Sequence, residues 1–178
     1  MLGRLPILMM WQPLGDHNVN GLKRILMISY FESLNDNEME LMFKAPILVC
    51  ILIAGADGKI DNKELKEAIS IAQKQAKSNS SLSEYFREAS QDFEDKIKIL
   101  IQSYPYELTQ RNPLIIQELS ELNSVLPKLN KKFAINFYES LRLIADKIAS
   151  SSGGVWGIHT VGTEEAKYVQ LPMINNPG

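Results

Sequence analysis

Cysteine, histidine and tryptophan are scarce in this chain. Of 178 residues, one is cysteine and two each are histidine and tryptophan. A lone cysteine excludes an intramolecular disulfide and fits a reducing, cytoplasmic compartment. Cys50 stands within the apolar run ILVCILIA, where a thiol reads as a small buried hydrophobe. A nucleophilic cysteine needs a histidine beside it, and His17 and His159 both fall in segments that read as non-helical. An excess of one charge is also lacking. Lys and Arg number 19 against 21 Asp and Glu, giving a net charge of −2 and a pI near 5.8. The basic pairs Lys23-Arg24 and Lys131-Lys132 are too small for a phosphate-binding face, which argues against nucleic acid as a partner.

Long hydrophobic runs are missing as well. The longest, Ala45 to Ala56, falls short of the roughly 20 residues that cross a bilayer. The opening MLGRLPILMMWQPLGDHNVNG has a short apolar core broken by Pro6 and no small-residue cleavage site, so it is a poor signal peptide. Residues 1–20 read as a weakly ordered N-terminal extension, in which Met9, Met10 and Trp11 offer at most a peripheral membrane contact. Residues 21–178 read as one domain. Catalytic signatures are absent too: no Gly-x-Ser-x-Gly, no His-Glu-x-x-His and no phosphate-binding loop with lysine. The glycines of Gly153-Gly154-Val155-Trp156-Gly157 follow a helical pattern and read as a connector, in which Trp156 either packs back onto the domain or anchors a partner. A hydrolase would require His159 or Cys50 to face an acidic cleft.

What is present is helical periodicity over a hydrophobic content of 45% with a mean hydropathy of −0.12, enough for a core. Leu22, Ile25, Leu26 and Tyr30 mark a helix over Gly21 to Leu34. Asn35-Asp36-Asn37-Glu38 is a capping box opening the next helix, which Pro46 should kink or restart. Asp61 to Lys77 is a third. Ser81-Leu82-Ser83-Glu84 resembles another capping box, opening a run to Ile101. Asn112-Pro113 reads as a cap followed by proline at the first helical position. The stripe Ile115, Leu119, Leu122 and Leu126 follows, up to Pro127. Phe133 to Ala149 is strongly amphipathic, and Thr163 to Leu171 is a last helix before Pro172. Alternating strand patterns are nearly absent. The fold expected is an all-α bundle of about seven or eight helices joined by short connections.

The most pointed motif is Ala54 to Leu65, AGADGKIDNKEL, a tight turn that places Asp57, Asp61 and Glu64 between two helices. With Gly58 at position 6 of an EF-hand loop, Asp57 and Glu64 fall on ligand positions 5 and 12, but Ile53 and Gly55 fall on 1 and 3, so that Ca²⁺ geometry is not met. Asp57-Gly58 is an ordinary turn dipeptide, and Asp61 and Glu64 form a capping-box variant favoured at a helix N-terminus. That account leaves Asp57 unexplained, and a divalent-ion or partner-binding role remains beside it.

AGADGKIDNKELKEAI resembles the signature turn of the tellurite-resistance TerB-like superfamily, whose members show an Ala-x-Ala-Asp-Gly segment ending one helix and an acidic residue opening the next. The preceding NEMELMFKAPILVCILIAG is similar to the first half of that family, and IASSSGGVWGIHTVGTEEAKYV to its second motif. The resemblance spans Gly21 to Leu171. It implies two related helix–turn–helix halves and a non-enzymatic bacterial module associated with stress response. It also implies a protein partner and a divalent metal, Ca²⁺ or Mg²⁺ on hard oxygen ligands, held by Asp57, Asp61, Glu64 and Glu165. The chain departs from the pattern where Gly153-Gly154 and Gly162 stand for acidic residues of the second turn. The other expectation is a purely structural adaptor that binds a partner helix without metal.

Overall fold

The computed structural model describes residues 30–55, 62–77, 82–151 and 166–178. Among the described residues the fold is all-helical, with six helices of more than one turn. These are α1 (Asp36–Ala54), α2 (Asn62–Ala76), α3 (Ser83–Ala89), α4 (Phe93–Gln102), α5 (Leu108–Ser120) and α6 (Lys131–Ser151). A single helical turn, Leu122–Val125, and a 3-10 turn, Leu126–Lys128, join α5 to α6. The count is thus below the seven or eight expected. The residues of the first expected helix before Tyr30 lie outside the described residues.

Helix α1 is the post around which the others stand. It packs against α2, α4, α5 and α6. Every residue from Ala45 to Ala54 is buried, which is why the run is apolar all round rather than striped. Its N-terminus closes as the sequence predicts: Asn35 Oδ1 accepts from the Glu38 N–H at 3.0 Å, and Glu38 Oε2 accepts from the Asn35 N–H at 3.0 Å. Lys128 reaches Glu38 from the 3-10 turn, and its ammonium, with the Asn35 N–H, holds the Glu38 carboxyl below the usual carboxylate range.

Pro46 neither breaks nor restarts α1. A proline removes the donor that would satisfy the carbonyl four residues earlier, here Met42. The hydroxyl of Tyr85, from α3, donates to that carbonyl at 2.7 Å, and both residues are fully buried. The missing intrahelical bond is replaced by a tertiary one. Burial pushes the Tyr85 phenol further above its ordinary pKa, so it stays a donor. The Tyr85 ring is also the hub of an aromatic cluster, stacked on Phe43 at 5.4 Å and edge-on to Phe86 at 4.9 Å and Phe137 at 5.4 Å.

Amphipathic α6 covers one side of α1, with Phe137, Leu141, Ile144, Ala145 and Ile148 inaccessible to solvent, as their spacing predicts. The stripe Ile115, Leu119, Leu122 and Leu126 is buried, and so is Cys50. The run from Ser81 to Ile101 is not one helix. It breaks at Ser90–Asp92, where Asp92 takes φ 51°, and Leu82 caps α3 without a side-chain bond. Ser81 lies outside the described residues. Helix α5 starts at Leu108, ahead of the expected cap, so Pro113 lies inside it. The carbonyl that Pro113 leaves without a helical donor belongs to exposed Thr109, where water can serve.

The C-terminal segment also departs from expectation. Of Thr163 to Leu171, Ala166 alone is assigned to a helix among the described residues, and two turns follow. The Leu171 N–H bonds the Tyr168 carbonyl at 2.8 Å, and the Ile174 N–H bonds the Leu171 carbonyl at 2.9 Å. Leu171 takes φ 48° directly before Pro172. Both the left-handed region and the pre-proline position oppose helix there. Val169, Leu171 and Ile174 are nonetheless buried in the core.

Candidate functional site

The last turn of α1 reads Ile51-Leu52-Ile53-Ala54 and brings no basic residue of its own. A helix C-terminus leaves four carbonyls without intrahelical donors and carries partial negative charge. The Gly55 N–H satisfies the Ile51 carbonyl at 3.1 Å. The charge is answered from α5. The guanidinium Nη2 of Arg111 donates to the Gly55 carbonyl at 2.7 Å, and Arg111 is only 4% exposed. Burial pulls its pKa below the ordinary value and Tyr106 pushes it back, while a guanidinium in a protein keeps its proton. No carboxylate pairs with Arg111 among the described residues. The Arg111 Nε and the neighbouring Asn112 Oδ1 are buried without a hydrogen-bond partner.

This clamp holds Gly55, the last described residue before the acidic segment. Asp57, Asp61 and Glu165 lie outside the described residues, as do His17, His159, Trp11 and Trp156. Glu64 stands in the first turn of α2, whose backbone alone is described there. None of the four expected ligands is therefore brought to another within the described residues, where no group of three His, Cys, Asp or Glu is placed to hold a metal. Asp57, Asp61 and Glu64 are carboxylates of the hard-oxygen type that Ca²⁺ and Mg²⁺ take.

Arg111 itself escaped the sequence reading because Asn112-Pro113 suggested a helix start. The signal was there: Arg111 precedes Ile115 by four positions and so continues the stripe of Ile115, Leu119, Leu122 and Leu126. A second polar cluster joins α1 to α5. Lys44 Nζ and the Tyr104 hydroxyl both donate to the partly buried Glu118 carboxylate.

The Arg111 clamp makes a prediction at Gly55. A Cβ there would lie 2.6 Å from Arg111 Nη2 and 2.7 Å from the Ile51 carbonyl oxygen. The guanidinium can swing aside but the carbonyl cannot. Gly55→Ala is expected to cost about 1–2 kcal/mol in urea unfolding, as for a modest overpacking; an unchanged midpoint would mean that the contact is slack.

Among the described residues no helix is long and apolar enough to cross a membrane. Against known protein families, curated proteins and solved structures, the chain has no match.

Proposed function

We propose that the chain is a non-enzymatic, cytoplasmic, TerB-like helical module, stress-associated as the resemblance implies and built of two related halves. Its acidic turn engages a protein partner and a divalent cation through Asp57, Asp61, Glu64 and Glu165. The observation that carries this reading is the clamped end of α1. A buried helix, fixed at one end by the Asn35 box and at the other by Arg111 on Gly55, feeds directly into the acidic turn. Charge neutralised in such a turn acts on the angle between a fixed post and the helix that follows it, α2. That angle shapes a surface a partner can read.

The test is a thermal melt of the full chain after chelation, then with Ca²⁺, Mg²⁺ or Zn²⁺ added. A ligand at about a hundred times its Kd stabilises by about 2.7 kcal/mol, which is several degrees for a domain of this size. The expected result is a shift with Ca²⁺ or Mg²⁺ that Asp57→Asn with Glu64→Gln abolishes. No shift with any ion would remove the cation and leave Asp61 and Glu64 as helix caps.

A further inference from the structure

We draw no further inference here: the strongest candidate, the buried pair of Arg111 Nε and Asn112 Oδ1 in the first half of α5, belongs to the Arg111 clamp already described, and the acidic residues that follow Gly55 lie outside the described residues, so nothing in the structure shows what group would meet it.

Discussion

Tyr85→Ala is expected to cost about 5 kcal/mol, enough to unfold a marginal domain. Two losses combine. Emptying a buried aromatic site costs about 3–5 kcal/mol, and the Met42 carbonyl, lacking a helical donor because residue 46 is proline, is left buried without its partner for about 1–3 kcal/mol more. Tyr85→Phe isolates the second loss and should cost about 1–3 kcal/mol while keeping the ring contacts. The explanation rests on Pro46, so a double-mutant cycle checks it. In a Pro46→Ala background the new backbone N–H can serve Met42, and Tyr85→Phe should then cost much less. Equal costs in both backgrounds, read from urea unfolding, would show that the hydroxyl is not a substitute for the helix bond.

Arg111→Ala is expected to cost about 3 kcal/mol. A hydrogen bond from a charged donor contributes about 1.5–3 kcal/mol, and the buried stem adds packing. Two further substitutions separate charge from shape. Arg111→Lys keeps the cation but loses the planar fork, and should fall between the unaltered chain and Arg111→Ala. Arg111→Met fills the space and removes the cost of burying a guanidinium whose Nε has no partner. If Arg111→Met proves as stable as the unaltered chain, the bond to Gly55 is dispensable for the stability of the fold. If it loses as much as Arg111→Ala, the bond to Gly55 is what holds the end of α1.

The contrast between what the residues foretold and what they hid has a physical pattern. Local signals were readable. The Asn35–Glu38 box uses groups three residues apart, and the α6 stripe repeats at helical spacing, so both survive without knowledge of the tertiary fold. The features that were not legible are those settled by distant partners. The uninterrupted path of α1 through Pro46 depends on a hydroxyl 39 positions further on, at Tyr85. The break at Ser90–Asp92 contains neither glycine nor proline; Asp92 accepts a left-handed backbone, and buried Phe93 follows it into α4. Pro113 imitated a helix start because proline favours the first turn, yet the helix begins earlier at Leu108. At the candidate site, the acidic segment was plain in the sequence, whereas the buried Arg111 that holds Gly55 just before it was hidden because the adjoining Asn112-Pro113 suggested a helix start.

The position of α1 also bears on how the chain reaches its fold during synthesis. Its ten-residue apolar run leaves the ribosome before α5 and α6, which cover much of it. At about 5–20 residues per second, some 5–20 seconds pass between the end of α1 and the end of α6. For that interval the segment Ala45–Ala54 is an uncovered hydrophobic stretch with low charge, the kind of surface that holding chaperones bind and that associates with its own copies when left unattended. A residue range buried throughout in the folded protein is thus open to misadventure in the nascent one.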